Sequence, residues 1–195
     1  MQPWALTALK DGMAVSEEMY RQLALEDPHG SWELHCGVLR QKPGMSFEHS
    51  HVLVDLFVLL QQQLDKQEFT VRPSLGRVRR SPEHYYIPDV YVVPTDLVQE
   101  GRRLHPRALE VYEAPLPLVV EVWSPSTGAY DLESKLPEYQ RRGDLEIWRI
   151  HPYERTLTAW RRQPDGSYTE TLYRGGTMQP VALPGVTIDL DALFS

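Results

Sequence analysis

Cysteine is nearly absent: Cys36 is the single one in 195 residues. No internal disulfide can form, which agrees with a reducing compartment and a cytoplasmic location. Long apolar runs are missing too. The longest, Val52 to Leu60, contains Asp55 and falls far short of the roughly 18 residues a membrane span needs. Met1 to Asp11 has no basic start followed by an apolar stretch, so no secretory leader is expected. Positive charge is also in deficit, with 20 Lys+Arg against 27 Asp+Glu and a net charge of −7. Proteins that hold nucleic acid mainly through phosphates are usually basic. The balance therefore counts against tight non-specific DNA binding. It leaves room for acids gathered around a metal with a local basic patch elsewhere. Arg77, Arg79 and Arg80 form one such patch; Arg102 with Arg103, Arg141 with Arg142, and Arg161 with Arg162 are others. Each reads equally well as solvated surface charge.

Several familiar sites are missing. The chain has no G-x-x-x-x-G-K-[ST], no G-x-G-x-x-G, no G-x-S-x-G, no H-E-x-x-H and no paired-cysteine zinc pattern. His49-x-His51 looks like a metal pair, but on a helix those side chains point about 200° apart. Cys36 follows His35 directly, and adjacent strand residues face opposite ways. A catalytic thiol is therefore not expected.

What is present is a globular composition, 42% hydrophobic and 24% charged, which excludes disorder. We expect one domain over 1–195, with residues 1–30 as a helical lead-in. Ser16 to Glu26 reads as a capped helix with Met19, Leu23 and Leu25 on its apolar side, broken by Asp27-Pro28-His29-Gly30. Ser31 to Lys42 reads as a hairpin around Cys36-Gly37. Ser46 to Lys66 is the strongest helix, with Leu53, Phe57, Leu60 and Leu64 at three- and four-residue spacing. Strands follow at Phe69 to Leu75, Tyr85 to Val93 and Leu118 to Trp123. Asp131 to Arg142 reads as a helix stopped by Gly143, with Pro137 expected to kink it or tighten its first turns. Leu145 to Ile150 is a strand. Thr156 to Arg162 and Tyr168 to Arg174 form a hairpin across Pro164-Asp165-Gly166, and Leu190 to Phe194 closes the chain as a helical turn. The order predicts an α/β (α+β) fold with a mixed central sheet flanked by helices.

Two acids stand out. Asp89 begins the apolar strand Val90-Tyr91-Val92-Val93, and Glu121 lies inside Leu118 to Trp123. Ionised carboxylates are costly to bury unless paired or bound to metal. Taken together, and followed by Asp131 and Lys135, they suggest a shared cation. Asp131 and Lys135 are four apart and lie on one helix face. A plain surface ion pair there would contribute only a few tenths of a kcal/mol, and spacing alone does not decide between the two.

An ordered series carries a resemblance: Trp32-Glu33-Leu34-His35-Cys36-Gly37, Pro88-Asp89, Val119 to Thr127, Asp131…Lys135…Tyr139 and Glu146-Ile147-Trp148. Together they resemble the large prokaryotic restriction-endonuclease family of the Uma type, a former domain of unknown function within the PD-(D/E)XK superfamily. The resemblance runs from about Met13 to Phe194. It implies a restriction-endonuclease-like core with extra N- and C-terminal strands. It also implies Mg²⁺ (or Mn²⁺) held by Asp89, Glu121 and the Val122 carbonyl. In the superfamily signature a lysine stands two residues after the second acid; that position here is Trp123. The family's pattern suggests that Lys135 brings its ammonium from the following helix instead. Glu33 matches an acid in the first hairpin, His49 matches a histidine on the long helix, and Asp131 would position Lys135.

The activity implied is hydrolysis of DNA phosphodiester bonds by a metal-dependent endonuclease. A nuclease-like fold without catalysis, acting as a binding or assembly module, is the rival; the net charge, Trp123 and Val38 (often glutamate in the family) favour it. Asp89 and Glu121 are expected on neighbouring strands with their side chains on one face. Trp148, Trp160 and Tyr168, on strands near an open edge, suggest a homodimer.

Overall fold

The computed structural model describes residues 11–27 and 30–195. Of the expected lead-in at 1–30 and the break that ends it, residues 1–10, 28 and 29 lie outside the described residues. Helix α1, Glu17–Glu26, forms where Ser16 accepts a hydrogen bond from the Met19 amide at 3.2 Å, satisfying one of the free donors of the first turn. Its buried residues are Tyr20 and Leu23, whereas Met19 and Leu25 are exposed. The apolar side is therefore narrower than expected, because α1 meets the sheet through a single stripe.

Strands β1 (Trp32–His35) and β2 (Val38–Gln41) pair through the two-residue turn Cys36-Gly37. Both turn residues have positive φ, 51° and 73°, the pattern of a type I′ hairpin. Helix α2, Phe47–Gln63, is capped by Ser46 and buries Val52, Leu53, Leu56 and Leu60. Beyond it the expected strand over Tyr85 to Val93 is two strands in different sheets: β5, His84–Tyr86, and β6, Val90–Pro94. The crossing point is Ile87-Pro88-Asp89. Pro88 has no N–H to donate to a ladder, and the Ile87 N–H donates instead to Glu33 Oε1 at 2.9 Å.

Five elements lie where no regular structure is expected. Strand β4, Arg77–Ser81, was hidden by its arginines, which offer a single apolar position, Val78. Helix α3, Thr95–Leu104, the short strand β7, Val111–Tyr112, and the two strands of the C-terminal ribbon, Thr177–Met178 and Ile188–Asp189, were also missed. The pairings gather the main strands into two sheets where one was expected. The first is ordered β2-β1-β5-β4-β7 and the second β11-β10-β9-β8-β6-β3. The second comprises β3 (Phe69–Pro73), β6, β8 (Leu118–Val122), β9 (Glu146–His151), β10 (Thr156–Arg162) and β11 (Tyr168–Tyr173). It is mixed: β8 runs parallel to β9 and antiparallel to β6. A two-stranded ribbon, β12 (Thr177–Met178) and β13 (Ile188–Asp189), leads into α6, Leu190–Leu193.

Strand β8 is buried at all five positions. Even-numbered residues Leu118, Val120 and Val122 pack with α2 and α6, while Val119 packs on the other face with Val93, Tyr139 and Ile147. A third cluster joins Tyr20 and Leu23 of α1 to Trp32, Leu34, Leu39 and Tyr85. Fully burying each such aliphatic side chain contributes about 1.5–3 kcal/mol, so β8 is the best-anchored strand and a rigid base for what it carries.

The helix expected over Asp131 to Arg142 is interrupted. Helix α4 (Gly128–Tyr130) runs into a π turn, Asp131–Lys135, and then α5, Leu136–Arg142, ends on Gly143 at φ 86°. Pro137 was expected to kink the helix or tighten its first turns; the helix is interrupted there, by a widened turn and not a tightened one. Pro137 has no amide for the Glu133 carbonyl, and the Leu136 N–H bonds five residues back to Asp131. Trp148 is fully buried, Trp160 is 8% exposed, and Tyr168 donates to the Asp144 carbonyl at 2.7 Å. These aromatics serve their own chain, so they give no support to a homodimer. Among the described residues no helix is long and apolar enough to cross a membrane.

Candidate metal centre

The register that pairs Val90 with Val120 places Asp89 opposite Glu121, one residue further along. Directly opposed residues on antiparallel strands share a face, as expected of the two acids. They line one narrow cleft with Lys42, Pro43, Gly44, Met45, His49, Ser124, Thr127 and Lys135.

Asp89 is 1% exposed and tightly held. Its Oδ1 accepts from Lys42 Nζ at 2.7 Å, and its Oδ2 lies 3.1 Å from His49 Nε2 and accepts from the Val122 N–H at 2.7 Å. Burial opposes its ionisation, but Lys42 and His49 outweigh burial and keep its carboxyl well below the usual range. Glu121 differs. Burial pushes its carboxyl up to about 8, against the pull of Lys135 and with Asp131 and Asp89 adding to the rise. Its Oε1 accepts from Tyr139 Oη at 2.5 Å and Lys135 Nζ at 3.3 Å.

Lys135 is 1% exposed, so the surface ion pair considered for it does not exist. Its ammonium lies 2.9 Å from Glu33 Oε1, 3.3 Å from Glu121 Oε1 and 3.4 Å from Asp131 Oδ1. Burial disfavours its charge, but Glu121, Glu33, Asp131 and Asp89 raise its pKa well above the ordinary lysine value. The π turn sets this geometry by placing Asp131 and Lys135 in one buried turn beneath β8. Asp131 Oδ2 accepts from Thr127 Oγ1 at 3.0 Å, while its Oδ1 is buried with no hydrogen-bond partner. Burial raises the Asp131 carboxyl too.

The structure thus brings together Glu33, His49, Asp89, Glu121, Val122, Asp131 and Lys135, all the residues the sequence pointed to. His51 faces away, exposed and 3.4 Å from Asp55, as the helical period requires. Trp123, at the signature's lysine position, stacks on His151 with ring centroids 4.2 Å apart. Two members were missed. Lys42 follows β2 with no local pattern to mark it. Tyr139 was legible in principle, because Asp131, Lys135 and Tyr139 recur every four residues.

A buried, acid-rich cleft with two inserted ammoniums, on two neighbouring strands of a mixed sheet, defines a restriction-endonuclease-like class of protein. The sequence model of the Uma2 family, described as "putative restriction endonuclease", matches residues 17–191. The chain belongs to that family. Its fold resembles the crystal structure of "a putative nuclease belonging to DUF820" from Anabaena variabilis, at 16% identity and a TM-score of 0.74, over 92% of this chain and 97% of that one. No curated protein matches the sequence.

Proposed function

We propose that the chain is a Mg²⁺-dependent DNA endonuclease, with Mn²⁺ as an alternative cation. Asp89, Glu121 and the Val122 carbonyl serve as ligands and Lys135 as the catalytic charge. The observation that carries this reading is the charge balance of the cleft. Four buried carboxylates, Glu33, Asp89, Glu121 and Asp131, face two ammoniums, Lys42 and Lys135. Fully ionised, the six groups leave two negative charges uncompensated in a poorly solvated space. Without a further cation the protein compensates by keeping a proton on Glu121 to about pH 8. Asp131 Oδ1, which accepts no hydrogen bond and shares the Lys135 ammonium with two other acids, points to the same deficit. Hard oxygen donors that stay short of positive charge even with a protonated His49 beside Asp89 suit Mg²⁺ or Mn²⁺.

When bound, such a cation supplies charge neutralisation on the phosphate and a water of lowered pKa. The remaining work falls to this chain's side chains. Lys135 stays charged across the physiological range and offsets charge developing on the phosphate in the transition state. Asp131 and Glu33 fix the position of its ammonium, and Tyr139 fixes the carboxylate plane of Glu121. Lys42, His49 and the Val122 N–H hold Asp89 in its ionised form. Near the cleft, Phe47 is 96% exposed, and Tyr153, edge-on to Trp123, donates to Ser46 at 3.2 Å. These rings offer stacking surfaces for unpaired bases, a mode of DNA contact compatible with a net charge of −7. A second copy of the chain would pair at the free edge of β11, and light scattering reads that mass.

The test compares three proteins on supercoiled plasmid with Mg²⁺ and Mn²⁺. Wild type should nick it. Asp89→Asn should lose both metal binding, read by calorimetry, and cleavage. Lys135→Met should keep metal binding and lose cleavage, and circular dichroism should show that it remains folded. Lys135→Arg should recover little activity, because a planar guanidinium cannot replace a compact ammonium. Cleavage by folded Lys135→Met at the wild-type rate ends the reading.

A further inference from the structure

A second cluster of metal-ligand side chains lies outside the carboxylate cleft. His35 ends β1, Cys36 begins the hairpin turn, and His84 opens β5. One ligand atom from each lies within 4.8 Å of the other two. The sequence argument against Cys36 assumed an extended strand, in which neighbours point apart. Cys36 instead has φ 51°, and the turn swings its thiol to the side occupied by both histidines.

The spacing fits one small cation. A tetrahedral Zn²⁺ with Zn–S near 2.3 Å and Zn–N near 2.0–2.1 Å holds sulfur and nitrogen about 3.5 Å apart. Cys36 Sγ lies 3.5 Å from His84 Nε2. The other edges close by adjustment of the half-buried His35 ring. The outer contact of His84 is also that of a ligating histidine, whose second nitrogen is usually engaged and so fixes the tautomer. His84 Nδ1 lies 2.9 Å from Ser81 Oγ, while its Nε2 faces the thiol. An Nδ1–H donated to Ser81 leaves the lone pair of His84 Nε2 directed at the thiol. The backbone holds the two turns together independently of any metal, since the Gly37 N–H donates to the Glu83 carbonyl at 3.1 Å.

We propose that His35, Cys36 and His84 form a second metal site that takes Zn²⁺ or another borderline-soft divalent cation, with water as fourth ligand. Two imidazoles and a thiolate select such ions over Mg²⁺, so the two sites discriminate by donor chemistry. Binding displaces the thiol proton to solvent and joins the β1–β2 turn to β5, fixing the strand that carries Glu33. The inference does not depend on the nuclease reading.

The experiment titrates the full-length, reduced protein with Co²⁺ in excess Mg²⁺, after a thiol assay has confirmed a free Cys36. A thiolate–cobalt charge-transfer band should appear and saturate at one equivalent. Cys36 is the single cysteine, so the band has one possible source. Zn²⁺ should bleach it, Cys36→Ser should abolish it, and His84→Gln should weaken Co²⁺ binding at least about tenfold. Asp89→Asn should leave the band unchanged. Zn²⁺ should also raise the Tm of wild type but not of Cys36→Ser. Absence of the band in reduced wild type, or its survival in Cys36→Ser, overturns the proposal.

Discussion

Glu121 on β8 and Glu146 on β9 lie on adjacent parallel strands, 4% and 0% exposed, yet they are buried in opposite ways. Glu146 is supplied with donors on both oxygens. Trp148 Nε1 and Arg161 Nε donate to Oε1 at 2.9 and 3.1 Å, and the Val181 and Ala182 amides donate to Oε2 at 2.8 and 3.3 Å. It ties the chain after β12 to the sheet. Glu121 accepts from Tyr139 and Lys135 through Oε1, and two further carboxylates stand near enough to raise its pKa. Burial by itself therefore does not mark a functional acid. What marks it is burial without enough positive charge, a deficit that persists in a fold only when the surroundings over-determine it.

The comparison is broken or sharpened most strongly by activity. Glu121→Gln should reduce metal-dependent cleavage on the order of 10³-fold, a loss of several kcal/mol of transition-state stabilisation. Glu146→Gln should stay within a few-fold in plasmid nicking. Equal losses would erase the distinction. Stability should give the reverse order. Glu146→Ala leaves Arg161 and two amides without their acceptor and should cost about 3 kcal/mol in urea denaturation. Glu121→Gln should raise the Tm of the metal-free protein at pH 8.

A smaller effect concerns pH. The folded chain keeps the Glu121 proton to about pH 8, whereas the unfolded chain releases it near 4.5. Between those values the native state binds more protons, so unfolding free energy falls as pH rises and levels off above about 8. Metal-free melting across pH 5 to 8 should show this decline, and Glu121→Gln should flatten it. Calorimetry at pH 7 in two buffers should then detect proton release on Mg²⁺ binding. The smallest effect is expected for Lys42→Ala. It removes the strongest cation opposing the burial of Asp89, so the Asp89 carboxyl should titrate higher and cleavage should fall roughly tenfold. The loss should be greatest at low pH, read from the pH–rate profile.

Much of this was legible because it is local. The caps at Ser16 and Ser46, the Cys36-Gly37 turn, the Gly143 stop and the apolar run of β8 each depend on a few neighbouring residues. Asp89 and Glu121 were legible for the same reason, as acids in runs that otherwise demand burial. Strand β4 was not, since its arginines become acceptable in a strand only when partners arrive from elsewhere: Glu17 and Glu113 for Arg79, Glu138 for Arg80.

By itself the sequence determined the element types over most of the chain, the two strand-borne acids, and, through the resemblance, Lys135 as their companion. Tertiary structure alone decided that Tyr85 to Val93 divides between two sheets at Pro88, that Lys42 and Tyr139 join the cleft, and that Cys36 meets His84 across 48 residues. The physical reason is the same in each case. Hydrogen bonding and periodicity act over a few residues, whereas charge compensation and ligand geometry depend on distances in space that only the packed sheets establish.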